Sequence, residues 1–401
     1  MLARLLVDAG HQVTLAIPNE PVEAAVPAPV TAVRAVPERL GEQARGHDWV
    51  LLHGHLGNHY LAQRDDLPVV VDLYDPFLVE NLHYHRRLGL EPFVNDHATW
   101  RLQLGRGDLF LCSSEEQRLY YLGWLTALGR VNPLVVEDDP TLEGLLVELP
   151  FGTPQGPPPA PPSRAEVLSG VPGDAPVLYF GGIYDWYDPR TALAAMPELL
   201  AADPRTVLLF VDHPHPDLTP QSEAARARAE AERMGWLGGA VRFESWRPHA
   251  RRYELPLVSD VAVACHRPGL ETDLSLRTRL VDLLWLGLPA VVTTGGTMSR
   301  VVREIGAGEV VPPADPGALA RAVRSLLTDA GRRERAAAAG RAWAAERSWE
   351  RIAGPLLAFA AGPRRAPRHD RFVPLAPDPV AMREPLLDRL RRAVGRLRGE
   401  R

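Results

Sequence analysis

The chain has 401 residues, 46% of them hydrophobic and 24% charged; it is too long for one core and too apolar for disorder, so two globular domains are expected. All 45 residues counted as Lys+Arg are arginine, so Schiff-base chemistry and a Walker A loop are excluded, and any phosphate must be held by Arg, His, backbone N–H groups or helix N-termini. The net charge of −5 hides a split: residues 363–401 carry eleven Arg against five acids, the rest stands at −11, and a body of that sign is a poor binder of nucleic acid.

Leu2, Leu5 and Leu6 recur at helical spacing and Gly10 follows as a stop, so the chain opens on a helix. Short apolar strands are predicted at 13–17, 49–53, 69–72, 109–112 and 145–149, with helical stretches between most of them. The rhythm resumes with strands at 177–180, 207–211, 241–243, 261–264, 290–293 and 309–311. Apolar strands alternating with helices indicate parallel sheets covered on both faces, hence an α/β fold of two doubly wound, Rossmann-like domains. A doubly wound domain ordinarily opens with its central strand. This chain opens with a helix instead, and the expectation is a first domain lacking its first strand and the loop after it.

Between the two series, residues 151–163 hold six prolines in thirteen positions and read as a stiff, extended linker. The predicted organisation is a first domain over 1–150, the linker over 151–163, a second domain over 164–362 and a basic tail over 363–401. In the tail, Leu386, Leu390, Val394 and Leu397 share one helical face beside five arginines. That helix is either solvated, docked on the acidic body, or laid on an anionic bilayer. Cys112 and Cys265 lie far apart, so no disulfide framework is expected. With no run of 18 apolar residues and no signal-peptide pattern, the expected location is cytoplasmic, with peripheral contact at the inner membrane face as an open alternative.

Three stretches carry candidate chemistry. The strand at 177–180 ends in Gly181-Gly182, and Asp188-Pro189 then reads as the cap and first residue of a helix. Ligands of open α/β sheets bind at such strand ends, where glycine lets a diphosphate approach the backbone. A helix is predicted from about 275 to 286, with Arg277 and Arg279 in its first turns. Arginine there opposes the helix dipole unless an anion sits nearby, so the pair is either a diphosphate clamp or two surface arginines. The strand that follows ends in Gly295-Gly296 before another helix. In the first half, His53-Gly-His55 and Asp72-Leu-Tyr-Asp75 end successive strands; His55 and Asp75 are acceptor contacts or buried structural residues. A zinc reading of His53, His55 and His59 lacks a further ligand, so no metal is expected.

Residues 269–298 resemble the signature of the nucleotide-sugar-dependent glycosyltransferases of GT-B fold, specifically the large retaining family 4. The resemblance is clearest over 175–330 and looser over most of 1–360. Asp282, five residues before Gly287, stands where the family's second signature Glu holds the donor ribose, and Glu271 looks like the first, which approaches the donor sugar. Gly287-Leu-Pro289, the next strand and Gly295-Gly296 also match. The family spacing is Glu-x7-Glu, but ten residues separate Glu271 from Asp282 here. Where the family carries an Arg/Lys pair after the Gly-Gly turn, this chain has Asp185-Trp186-Tyr187-Asp188, and the N-terminal glycine-rich acceptor loop is missing.

The resemblance implies two domains facing a cleft and transfer of a sugar from a nucleotide sugar to an acceptor hydroxyl, with retention and without cofactor or metal. The donor is expected on Gly181, Gly182, Arg277, Arg279, Asp282, Gly295 and Gly296, with Glu271, His55 and Asp75 as catalytic candidates. The acceptor would be a glycan, a lipid-linked sugar or a small molecule. The rival expectations are a non-catalytic nucleotide-sugar-binding scaffold and a sugar-nucleotide epimerase of the same fold.

Overall fold

Two sets of parallel strands organise the chain. The computed structural model describes residues 1–18, 29–213 and 221–367; the predicted tail helix lies outside them. The strands are β1 (Thr14–Ile17), β2 (Thr31–Arg34), β3 (Val50–Leu52), β4 (Val69–Asp72), β5 (Leu109–Cys112), β6 (Leu146–Glu148), β7 (Val177–Gly182), β8 (Val207–Val211), β9 (Val241–Glu244), β10 (Val261–Ala264), β11 (Ala290–Thr293) and β12 (Gly308–Val311). The helices that matter below are α1 (Leu2–Asp8), α2 (Leu56–Gln63), α3 (Phe77–Glu80), α4 (Glu91–Arg106), α5 (Glu115–Ala127), α6 (Pro189–Ala202), α7 (Ser222–Arg233), α8 (Leu270–Leu274), α9 (Thr278–Leu286), α10 (Gly296–Ile305), α11 (Pro316–Thr328), α12 (Ala330–Ala345), α13 (Trp349–Ile352) and α14 (Gly354–Ala361).

The second sheet runs β12-β11-β10-β7-β8-β9, all parallel, which is the doubly wound order with the direction of winding reversing between β7 and β10. Its central strands are almost continuously apolar because both faces are covered, while the edge strands carry charges, Arg242 and Glu244 in β9 and Glu309 in β12. Val177 and Tyr179 of β7 enter one core with Leu280 and Leu284 of α9, while Leu178 and Phe180 enter the other with Leu193 and Met196 of α6.

In the first domain, β3-β4-β5-β6 form one parallel sheet and β1-β2 a separate parallel pair. Among the described residues no strand hydrogen-bonds to both β1 and β3, so the two arms of a doubly wound sheet stand without the strand that ordinarily joins them. Alternation again splits the four-stranded sheet: Val69, Val71, Phe110 and Cys112 face a core containing Trp100 and Tyr121, and Val70, Leu109 and Leu111 face the opposite side.

That opposite face supplies a correction. The sequence reading assigns 164–362 to the second domain, but Trp349 of α13, Ala353, and Leu356 and Phe359 of α14 pack with Val70, Leu109, Leu111 and Leu5 of the first. The second face of the first sheet would otherwise be bare, and these helices supply its cover. The chain therefore crosses between domains twice, and the crossings touch. The Thr153 N–H donates to Arg347 O (2.9 Å), the Trp349 N–H donates to Thr153 O (3.0 Å), and the rings of Phe151 and Trp349 meet edge to face at 4.9 Å. The proline-rich stretch is also tied down further on, where Trp285 Nε1–H donates to Gly156 O (3.2 Å).

Candidate active site between the domains

A cavity of about 450 Å³ opens at the carboxyl ends of β7 and β8, beside the switch point of the second sheet. The second domain contributes Gly182, Tyr184, Trp186, His213, Arg252 and Asp282 to its walls, and the first contributes Tyr74, Asp75, Pro76 and Glu80.

The end of β7 and the loop after it show how the local sequence builds the site. Gly181 has φ +83°, a left-handed conformation that glycine takes without a Cβ penalty, and a Cβ there would sit 3.0 Å from Arg279 Nη1. The two acids that follow serve the scaffold. Asp185 accepts from the Glu223 N–H (3.0 Å) and the Ser222 hydroxyl at the start of α7, and Asp188 accepts from the Thr191 N–H (3.2 Å) to cap α6. The aromatic residues beside and between them, Tyr184, Trp186 and Tyr187, are left for the cavity. Tyr184 and Trp186 stack at 4.9 Å and 8°, and Trp186 reaches across to His83 and Tyr84 of the first domain at 6.5 and 6.2 Å.

Of the sequence-predicted residues, the cavity brings together Asp75, Gly182, Arg277, Arg279 and Asp282, with Gly181 just beneath. The helix expected to start at 275 is broken. α8 stops at Leu274, Arg277 takes a left-handed conformation (φ +55°), and α9 begins at Thr278. The longer interval between Glu271 and Asp282 thus contains a three-residue turn joining two helices.

The turn changes what the arginines touch. Arg277 grips Glu271 as a two-pronged pair, Nη1 to Oε1 and Nη2 to Oε2, both at 2.7 Å, with the side chains only 8% and 3% exposed. Arg279 Nη1 donates to the carbonyls of Phe180 (3.0 Å) and Gly182 (2.9 Å). Both guanidiniums line the cavity, but these hydrogen bonds are internal, where the sequence reading expects bonds to a diphosphate. Glu271 is absent from the cavity wall; it sits behind Arg277 and also accepts from the Ser275 hydroxyl (2.9 Å).

Three other predicted residues stand apart from the cavity. Gly295 and Gly296 pack on α8, where a Cβ on Gly296 would lie 2.3 Å from Thr272 O; close packing requires these glycines. The start of α10 next to them faces the first domain, with Thr297 Oγ1 donating to Glu116 (2.6 Å) and Arg300 pairing with the same carboxylate. His55 belongs to a network on α4: Nε2 lies 2.9 Å from buried Asp96 and Nδ1 lies 3.0 Å from Thr99 Oγ1. His53 stacks on Tyr74, a cavity residue, at 6.2 Å. Among the described residues no group of three or more His, Cys, Asp or Glu side chains is placed to hold a metal ion.

Glu80 is the cavity residue that sequence reasoning missed most completely. Burial, then the neighbouring Asp75 carboxylate and its hydrogen bond, push its carboxyl up to about 10, so it carries a proton at neutral pH. Asp282 is pushed up to about 6 by burial, opposed by nearby Arg252 and by a hydrogen bond from Tyr253. Arg252 lies over the Tyr253 ring at 4.0 Å and donates to its hydroxyl (2.7 Å). No local pattern around 246–253 signals this wall. The Tyr184–Tyr187 aromatics, by contrast, are visible as a departure from the family pattern.

Residues 175–329 match the family model "Glycosyl transferases group 1". No curated protein matches. Among solved structures, sucrose-phosphate synthase from Thermosynechococcus elongatus is similar at TM-score 0.62 and 19% identity, covering 90% of this chain and 92% of that one. Anabaena HepE in complex with UDP-glucose is similar at TM-score 0.63 and 15% identity (90% and 94%), and WaaG, a glycosyltransferase involved in lipopolysaccharide biosynthesis, at 0.60 and 17% (90% and 94%). At these identities the likeness establishes the fold. The chain thus shares the two-domain GT-B fold of these glycosyltransferases, and its residues 175–329 match the glycosyl transferases group 1 model.

Proposed function

We propose that the cavity binds a nucleotide sugar and that the chain transfers its sugar to an acceptor hydroxyl, with retention of configuration and without a metal. The observation that carries this reading is the cavity itself, which lies at the switch point of the group 1 domain and is completed by side chains from the first domain. Departure of a nucleoside diphosphate calls for charge stabilisation of the leaving group. Arg279, bound to the Phe180 and Gly182 carbonyls, provides positive potential beside Gly181 and Gly182, supplemented by Arg252 along the wall. Asp282, ionised above about pH 6, suits the paired hydroxyls of a ribose. The stacked Tyr184 and Trp186 offer an aromatic face to a sugar or base. The acceptor then enters past Asp75 and protonated Glu80, which presents a donor as well as acceptors to a hydroxyl-bearing molecule. Glycans, glycolipids and envelope polysaccharides are acceptors of this kind.

Calorimetry of the purified chain against UDP-glucose, other sugar nucleotides and free UDP tests the donor site. Binding weakened by Asp282→Asn and by Trp186→Ala is the expected result, with nucleoside diphosphate release that depends on added acceptor and survives EDTA. A folded chain that binds no sugar nucleotide refutes the assignment.

A further inference from the structure

The two walls of the cavity differ in charge. The arginines that line it, Arg247, Arg252, Arg277 and Arg279, all come from the second domain, while the first domain contributes Tyr74, Asp75, Pro76 and Glu80 and no cation. Arg277, whose charge reaches Glu80, is already committed to Glu271. His83 beside this wall is pushed below its ordinary value by burial, so it is neutral at pH 7. Glu80 keeps its proton at that pH because burial and the hydrogen-bonded Asp75 carboxylate oppose a second negative charge. Tyr84 supplies another oxygen. It is 7% exposed and its hydroxyl has no hydrogen-bond partner among the described residues, although it stands within electrostatic reach of Glu80 and Tyr184. The rings of Tyr74, Tyr184 and Trp186 line the same cavity, the last two stacked on each other.

We infer that this first-domain wall recognises an ammonium group, so that the acceptor is an amine-bearing sugar or polyol. The inference rests on the transfer reading above and names the class of its acceptor. Its basis is the balance of donors and acceptors. An ammonium brings three N–H donors and no acceptor, a hydroxyl brings one donor and two acceptor lone pairs, and a phosphate brings acceptors. The wall offers acceptor oxygens on Asp75 and Glu80, with the unpartnered Tyr84 hydroxyl behind them, and its first-domain side chains supply no cation to meet an anion. A cation bound here offsets the repulsion that holds the proton on Glu80. Carboxylates beside aromatic faces hold an ammonium by charge and by the ring quadrupole together. A phosphate-bearing sugar would instead meet like charge on this side, which excludes it. The ammonium orients the acceptor, and the hydroxyl that receives the sugar is a different group of the same molecule.

Calorimetry of the full chain with UDP present, titrated with glucosamine, glucose, N-acetylglucosamine and glucose 6-phosphate, tests it. Glucosamine is expected to bind at least about tenfold more tightly than glucose or N-acetylglucosamine, which share its ring but carry no charge, and glucose 6-phosphate most weakly. Glu80→Gln separates the two forms of that side chain. A glutamine amide keeps the donor and acceptor of a protonated carboxyl but cannot become a carboxylate. Glucosamine should therefore bind this variant about tenfold less tightly, while glucose binds it as it binds wild type. Asp75→Asn should likewise weaken glucosamine, and near-UV circular dichroism confirms that both variants are folded. The inference is overturned if wild type binds glucosamine no more tightly than glucose, or if both variants keep the preference. Titration of the same protein with UDP-glucose keeps the two readings apart. Donor binding without an amine preference refutes the acceptor class and leaves the donor site standing, whereas no donor binding refutes the transfer reading itself.

Discussion

Replacing Arg277 by methionine tests whether the Glu271–Arg277 pair behaves as a buried unit. An exposed ion pair contributes about 0–1 kcal/mol. Removing one partner of a buried pair costs about 3–5 kcal/mol, because the other charge is left unpaired out of water. With exposures of 8% and 3% and two 2.7 Å contacts, the second case applies. The Ser275 hydroxyl stays on the stranded carboxylate at 2.9 Å and returns part of that loss. Arg277→Met is therefore expected to cost about 3 kcal/mol. Glu271→Gln should cost a similar amount, since Arg277 is then buried against a neutral amide and its Nε already lacks a partner. The double variant removes both charges and should cost little more than either single one, a coupling of about 2–3 kcal/mol. For a domain of this size each single change lowers the melting temperature by roughly 6–12 °C. Calorimetric melts of the full chain, with the three variants compared, measure the cycle. Additive losses, or single losses under about 1 kcal/mol, would refute the argument from burial.

Asp188→Ala removes the cap of α6 and should cost about 1–2 kcal/mol in urea unfolding, while Asp188→Asn recovers most of it because the amide oxygen still accepts from Thr191 N–H. Asp282, raised to about 6, holds its proton in the folded chain at pH values where the unfolded chain has released it. Its contribution is thus small below pH 4 and grows to a loss of about 3 kcal/mol as pH rises from 4 through 6. Melts of Asp282→Asn between pH 4.5 and 7.5 should show less decline than wild type, and an equal decline sinks the assignment. Gly308→Ala would place a Cβ 1.8 Å from Ala290 O in the β11–β12 pairing, so insoluble or unfolded protein is expected, and a soluble variant with wild-type melting would contradict the pairing described.

Much of this protein was legible in its sequence because the signals are local. Continuous apolar runs such as Val69–Val71 and Val207–Val211 have both faces buried, so their composition alone reports a covered parallel sheet. Asp188-Pro189 announces a helix start, and the Gly-Gly that ends β7 admits the left-handed Gly181, since each depends only on backbone geometry within a few residues. That β1-β2 and β3-β4-β5-β6 form separate sheets, by contrast, is visible only in the fold.

Tertiary structure decided what the charged and small residues do. Sequence places Arg277 and Arg279 near a helix start, but not the Glu271 carboxylate or the carbonyls of Phe180 and Gly182 that they meet. It offers Gly295-Gly296 as a ligand loop, where close packing on Thr272 sets the requirement. Glu80 enters a cavity built largely from residues more than a hundred positions away, and α13 and α14 leave the second domain to cover the first. Caps, turns and apolar periodicity are properties of neighbouring residues. Ion-pair partners, cavity walls and the cover of a sheet are set by which distant segments come into contact, and only the folded chain fixes those distances.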